Sequence, residues 1–219
     1  MPLILRENIE NEVIGLWKIS EATETLLTLA KLSFPDAITY SGISAEHRKK
    51  EWLATRVLLI ELIGEPHLIK YHADGRPYLE HLPDHISITH STGYVAIQLH
   101  STAIPGIDIE LINRQVGKVA SRFLSPDELA ACTVNAERSN RRVLLHWCAK
   151  EAIFKMVPLS NIEFSTHIQI LLGDSDFDSG TIAGIFNDKA GPVPINLKYK
   201  IVNDVLLVWG SVDKARFSM

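Results

Sequence analysis

The sequence predicts an α+β protein made of two similar halves in a pseudo-twofold arrangement, each with a long helix packed on an antiparallel sheet. Three observations lead there. Two long helical patterns, at 44–64 and 140–156, are each preceded by a strand pattern. Each is also followed by short alternating strands joined at turn dipeptides, which reads as antiparallel hairpins rather than crossover units. The order strand, helix, long helix, hairpins therefore occurs twice, each pass taking about half of the 219 residues. The halves are expected at 1–104 and 105–219, meeting near Ala103–Pro105, with a ligand site between them.

In the first half, "NEVIGLWKIS" (11–20) reads as a strand and "EATETLLTLAKL" (21–32) as a helix that Ser20 can cap. "SAEHRKKEWLATRVLLIELIG" (44–64) reads as an amphipathic helix, begun by Ser44 and ended by Gly64. "YHADGRPYLE" carries an Asp74-Gly75 turn, and "HISITHSTGYVAIQLH" gives two strands around Thr92-Gly93. In the second half "GIDIELI" (106–112) is a strand. "RQVGKVASRFL" and "SPDELAACTVNAE" are helices, the latter with Ser125 as N-cap and Pro126 in first position. "NRRVLLHWCAKEAIFKM" is the long helix, which Pro158 must end. Strands follow at 167–172, 180–186, 195–202 and 205–210, the last two joined across Asn203-Asp204.

Composition bounds the function. The chain is 46% hydrophobic and 22% charged, an ordinary globular balance, and its net charge of −4 argues against a nucleic-acid binder. Basic residues gather locally at "HRKK" (47–50) and "RSNRR" (138–142). Two cysteines, Cys132 and Cys148, cannot make a disulfide scaffold for this length, which points to a reducing compartment. No stretch has the length of a membrane span or the form of a signal peptide. A cytoplasmic, monomeric protein is expected.

Two stretches can carry chemistry. In the "GIDIE" strand, Asp108 and Glu110 project to one face while Ile107, Ile109 and Leu111 point to the other. Neighbouring carboxylates repel unless a proton or cation lies between them, and an all-oxygen set suits Mg²⁺. A half-buried strand with an acidic face in water has the same alternation. In "HWCAKEAIFKM" (146–156), Glu151 lies among apolar residues with Lys155 four positions on. That spacing allows a helical salt bridge. A helix apolar nearly all round would bury the pair, and a buried pair is a poor device for stability alone. It equally suits a metal-and-phosphate site.

Together, "GIDIE" and "WCAKEAIFK" resemble the 4′-phosphopantetheinyl transferases, whose pattern is Gly-(hydrophobic)-Asp-x-Glu and later Trp-x-x-Lys-Glu-Ala-x-x-Lys. "RFLSPDE" looks like the helix start between the family's two motifs. "GRPY" looks like its Gly-Lys-Pro turn with Arg76 for lysine, and "ISITHS" like its Ser-His segment with Thr89 for serine. Length and element order resemble the long, pseudo-dimeric, surfactin-synthetase-activating type.

The resemblance implies transfer of the phosphopantetheine arm of coenzyme A to a serine of an apo acyl or peptidyl carrier protein, releasing 3′,5′-ADP. It implies Mg²⁺ held by Asp108, Glu110 and Glu151, with Glu151 also the general base toward the serine. Lys155 and Lys150 would face the pyrophosphate. His90, with Thr89, would reach a CoA phosphate; Arg48 and Lys49 the 3′-phosphate and adenine; Arg76 and Pro77 would shape the CoA site. The nucleotide thereby falls to the first half and the catalytic motifs to the second. "RSNRR" or "HRKK" would dock the acidic carrier. Where relatives run into glycines after the last lysine, this chain has "MVPLSNIEF" (156–164). A module that binds CoA or a carrier without turnover is the alternative, and a purely structural protein with ordinary salt bridges a third.

Two further patterns are set aside. "DSDFDSG" (174–180) begins like a calcium loop, but Ser179 stands at the glycine position and Ile185 at the terminal glutamate. His81 and His85 have helical zinc spacing, but Pro83 between them argues against a helix.

Overall fold

The computed structural model describes residues 2–133, 136–159, 161–173 and 178–217. The chain is α+β with antiparallel sheets, and it divides into two compact units, Met1–Thr102 and Ala103–Met219.

The first unit runs β1 (Leu3–Ile9), β2 (Glu12–Lys18), α1 (Thr23–Ala30), α2 (Phe34–Ser41), α3 (Glu46–Ile63), β3 (Ile69–Tyr71), β4 (Pro77–Leu79), β5 (His85–Ser91) and β6 (Tyr94–His100). Its main sheet has the order β1-β2-β6-β5, and β3 and β4 form a separate hairpin. The Asp74-Gly75 and Thr92-Gly93 turns fall where the sequence places them, with Gly75 and Gly93 at positive φ. β1 is not foreseen, because its short apolar start gives way at once to charged residues.

Neither serine cap predicted for this unit, Ser20 or Ser44, is used. α1 is preceded by Ala22 and α3 by Ala45, and no side chain caps either helix. The serine cap that does form lies in a helix the sequence reading passes over: Ser33 accepts from the Asp36 amide at the start of α2, beside Pro35 in the first turn. Of the α2 residues only Asp36 is buried. It is fastened to α3 by the buried Arg56, whose Nε donates to Asp36 Oδ1 at 3.0 Å and whose guanidinium lies 3.1 Å from the Trp52 ring centroid.

α3 is amphipathic along its length rather than around it. Its first two turns are exposed or half-buried, whereas Leu53 to Leu59 form an unbroken buried run, with Leu62 beyond. That half packs on Trp17, Ile86, Val95, Ile97 and Leu99 of the sheet. Gly64 ends the helix at φ 101°, its amide donating to the Ile60 carbonyl at 2.7 Å.

The second unit runs β7 (Ile104–Leu111), a 3₁₀ turn (Gly117–Arg122), α4 (Pro126–Thr133), α5 (Ala136–Met156), the single turn α6 (Phe164–His167), β8 (Ile168–Leu171), β9 (Ser179–Asp188), β10 (Gly191–Val202) and β11 (Val205–Val212), then a 3₁₀ turn at Lys214–Phe217. The sheet order is β7-β11-β10-β9-β8. "GKVASR" thus forms a 3₁₀ turn where an α-helix is expected. Ser125 does cap α4: its Oγ accepts the Glu128 amide at 3.2 Å while Glu128 Oε2 accepts the Ser125 amide at 2.8 Å. α5 ends at Met156, two residues before Pro158. The calcium-like stretch at 174–180 lies largely outside the described residues, and His81 to His85 is not helical.

α5 rests on β7 and β11 through Ala149, Ala152, Ile153 and Met156, all fully buried. The approach is close enough to require glycine. A Cβ on Gly106 would stand 2.1 Å from the Ala152 carbonyl oxygen and 2.6 Å from Met156 Cγ. Gly184 on β9 is crowded in the same way by Ile153, whose Cδ1 would be 2.5 Å from a Cβ, whereas Gly210, the partner of Gly106 across the strands, is crowded first by the Asn196 carbonyl and Leu197 and then, at 3.3 Å, by Met156. A methyl at Gly106 must therefore lift the helix. Gly106→Ala should cost about 1–3 kcal/mol in urea unfolding, whereas Gly117→Ala, with open space around it, should leave the midpoint unchanged.

Candidate functional site

β7 and α5 together assemble the acidic group. On β7, Asp108 and Glu110 share a face and are 6% and 7% exposed, so the strand is buried on both sides rather than wet on its acidic one. On α5, Trp147, Glu151 and Lys155 recur every four residues and form one stripe. The Lys155 ammonium donates to the Ile107 carbonyl at 2.8 Å and to Asp108 Oδ1 at 2.9 Å. The helical Glu151–Lys155 pair allowed by spacing is thus replaced by a strand-to-helix pair. Two turns earlier, Trp147 Nε1 donates to Glu110 Oε1 at 3.3 Å. Arg114, just beyond β7, pairs with the same carboxylate and lies 5.8 Å from the Trp147 ring centroid.

Glu151 stands between these two contacts. Burial, and then the negative charge of Asp108, raise its pKa from the ordinary 4.5 to about 7, against the opposing pull of Lys155 and Arg114. The Cys148 thiol is driven well above its usual range by burial and by Asp108, to which it is hydrogen-bonded. A carboxyl that titrates near neutrality can take up a proton and release it at little cost, the property a general base needs.

Beside Glu151 opens a cavity of about 670 Å³, lined also by Val119, Arg122, Phe123, Trp147, Ile162 and Phe164. Its aromatic rings form a row. Trp147 meets Phe123 at 5.0 Å and Phe164 at 6.1 Å, and Phe164 meets the exposed Phe154 at 5.5 Å between centroids.

The other expected site residues fall in two groups. Lys150 is fully buried, and its three donors go to Glu128 Oε2, the Phe164 carbonyl and the Ile168 carbonyl at 2.7, 2.8 and 2.6 Å. No ammonium hydrogen is left over for a phosphate. The remainder lie in the first unit. Arg48 Nη1 is 2.9 Å from both Glu51 Oε2 and His90 Nε2, so these three form a cluster at the start of α3 and the end of β5. Thr89 is buried. Lys49 Nζ lies 5.7 Å from the Tyr40 ring centroid. The Arg76 guanidinium is folded back onto Asp74 in the β3–β4 turn, at 2.6 and 2.8 Å, and this contact holds the Asp74 carboxyl below its usual range; Pro77 opens β4.

The donor set of Asp108, Glu110 and Glu151 is all-oxygen and anionic, which suits a hard divalent cation, and the effect of Asp108 on Glu151 is the repulsion such an ion would relieve. As the side chains stand, no group of three or more His, Cys, Asp and Glu residues among those described is arranged to hold a metal ion. Lys155 and Arg114 instead supply the positive charge at Asp108 and Glu110.

Arg114, Arg122, Phe123, Phe164 and Glu128 are absent from the sequence-derived site. Arg122, Phe123 and Glu128 lie in the "RFLSPDE" segment noted for its resemblance, and the signal that could have singled out Glu128 is the Ser125-to-Glu128 capping spacing.

A buried acidic strand thus lies under a helix carrying Trp147, Glu151 and Lys155 on one stripe, with Glu151 on the cavity. A family model described as the 4′-phosphopantetheinyl transferase superfamily matches residues 105–203, a span that takes in Asp108, Glu110, Glu151 and Lys155. No curated protein matches the chain. Among the described residues no helix is long and apolar enough to cross a membrane.

The raised Glu151 pKa has a thermodynamic sign. Between pH 4.5 and about 7 the folded state keeps a proton that the unfolded chain releases, so this group lowers stability as pH rises through that window. In chelator at pH 8, Glu151→Gln should therefore unfold at higher urea than the parent. The gain should be on the order of 2 kcal/mol after discounting for solvent screening, and should vanish near pH 4.

Proposed function

We propose that the protein is a Mg²⁺-dependent 4′-phosphopantetheinyl transferase of the long, two-unit type. It moves the phosphopantetheine arm of coenzyme A to a serine hydroxyl of an apo acyl or peptidyl carrier protein and releases 3′,5′-ADP. The observation that carries this reading is Glu151, half-buried on a cavity with its pKa raised to about 7, set beside an Asp108–Lys155 pair. The family match over 105–203 supports it.

Under this reading Glu151 removes the serine proton. The serine oxygen attacks the phosphorus that bears the pantetheine, and the bond to the bridging pyrophosphate oxygen breaks, leaving that oxygen on 3′,5′-ADP. Phosphoryl transfer of this kind needs orientation and charge neutralisation more than covalent help. Lys155 would turn from Asp108 to the charge gathering on the leaving phosphate. Asp108, Glu110 and Glu151 would hold Mg²⁺ once Lys155 and Arg114 give way. The bound ion would neutralise the pyrophosphate.

In the first unit, Arg48 and His90, already side by side, with Lys49 and Thr89, would take the phosphates and adenine of CoA. Arg76 and Pro77 would border them. Arg141 is exposed and "HRKK" opens α3, so either offers basic charge to steer an acidic carrier. Association rates insensitive to salt would rule that steering out. The two buried free thiols suit a reducing, cytoplasmic setting.

A second reading is favoured by one observation: the acids already have cationic partners. A module that binds CoA or a carrier without turnover would keep those pairs and show affinity without product.

Incubation with CoA, Mg²⁺ and an apo carrier, followed by mass spectrometry of the carrier, separates the two. A gain of one phosphopantetheine is expected; unchanged mass across several carriers refutes transfer. Asp108→Ala should abolish turnover. Glu151→Gln should reduce it by roughly 10²–10⁴-fold or more. Lys155→Ala should slow it severely with unchanged circular dichroism, and chelation should stop it.

A further inference from the structure

The Lys150–Glu128 pair has no part in the chemistry above, yet it is the most enclosed ion pair among the described residues, at 0% and 5% exposure. Lys150 bridges the carbonyls of Phe164 and Ile168, which bracket the single turn α6. Glu128 Oε1 accepts the Ile170 amide within β8 at 2.8 Å, and Oε2 takes both Lys150 and the Ser125 amide at the head of α4. One ion pair thus ties α4, α5, α6 and β8 together.

Beyond this pair α6 is held by Phe164, which packs against the core, by His167 Nδ1, which accepts the Glu163 amide at 2.9 Å, and by Asn187 Nδ2, which donates to the Thr166 carbonyl at 3.4 Å. It has four residues, buries none of their side chains and has no side-chain cap. A turn that short is not stable by itself. Phe164, at its head, is a wall of the cavity beside Glu151 and touches both Trp147 and Phe154. Lys150 and Glu151 are consecutive on α5, one inside the core and one on the cavity. A buried ion pair is a poor way to add stability, since apolar replacements often do as well. What this pair supplies is direction, because it engages named backbone groups that an apolar pair would not.

We propose that Lys150 and Glu128 are positioning residues: their buried pair holds the 164–170 backbone as the wall facing Glu151, and so fixes where the acceptor serine and the arm meet that carboxylate. This rests on the transferase reading for its catalytic consequence, but not for the wall itself.

Lys150→Met alone strands a buried carboxylate and should unfold the second unit. The informative variant is Glu128→Gln with Lys150→Met, which keeps an acceptor for the α4 cap and removes both charges. It should fold, with hydrogen exchange accelerated in peptides spanning 164–171 and unchanged in β10 and β11. In the transfer assay kcat should fall roughly 10- to 100-fold while KM for CoA stays within about twofold. A raised KM for CoA with kcat retained would overturn the proposal and return Lys150 to the phosphates. Unchanged exchange at 164–171 would overturn it as well. Should the double variant not fold, Phe164→Ala carries the test: kcat should drop with KM for CoA unchanged, and full kcat would overturn the proposal. If the parent chain transfers nothing, the function proposed above fails, and the exchange measurement still decides whether the pair holds the wall.

Discussion

The site depends on how near one helix can lie to one strand. α5 comes so close to β7 that the Ala152 carbonyl fills the space a Cβ on Gly106 would need. Only at that separation can a lysine on the helix reach both a backbone carbonyl and a carboxylate of the strand, and a tryptophan two turns away reach the next carboxylate. The glycine that opens "GIDIE" is therefore a spacing element, and the acids two and four positions later are set by the same register. Glycines at 184 and 210 extend that shallow seat under Ile153 and Met156.

Bringing carboxylates together in a partly dry place has an electrostatic consequence. Asp108 and Glu110 are each met by a cation, Lys155 and Arg114, while burial first, and then the charge of Asp108, raise the pKa of Glu151. Both cations keep part of their side chains in solvent, 24% for Lys155 and 48% for Arg114, whereas the carboxylates they meet are buried.

Much of the fold was legible because its signals are local. Gly64, the Asp74-Gly75 and Thr92-Gly93 turns, the Ser125 cap and the Pro158 stop each act within a few residues. The misses have the same root seen from the other side. Ser20 and Ser44 are plausible caps that the chain bypasses, because tertiary packing sets where α1 and α3 begin. β1 is an edge strand with weak alternation, and α2 is held by Asp36 and Arg56, twenty positions apart, which no periodicity reveals. At the site, residue types and strand face were readable, but partner choice was not. Sequence spacing offers Lys155 to Glu151, whereas three dimensions give it to Asp108. Lys150 sits next to Glu151 in the chain, yet a helix turns it about 100° away and into the core.

The lengthwise division of α3 has a consequence for how this unit can change. Its core-facing half, from Leu53 onward, is constrained by the sheet beneath it, while the half carrying Arg48 and Lys49 has no fully buried side chain. Mutations can therefore rewrite the chemistry displayed at one end of a single rod while the other end keeps it moored. A lineage could vary the charges there, residue by residue, without passing through an unfolded ancestor.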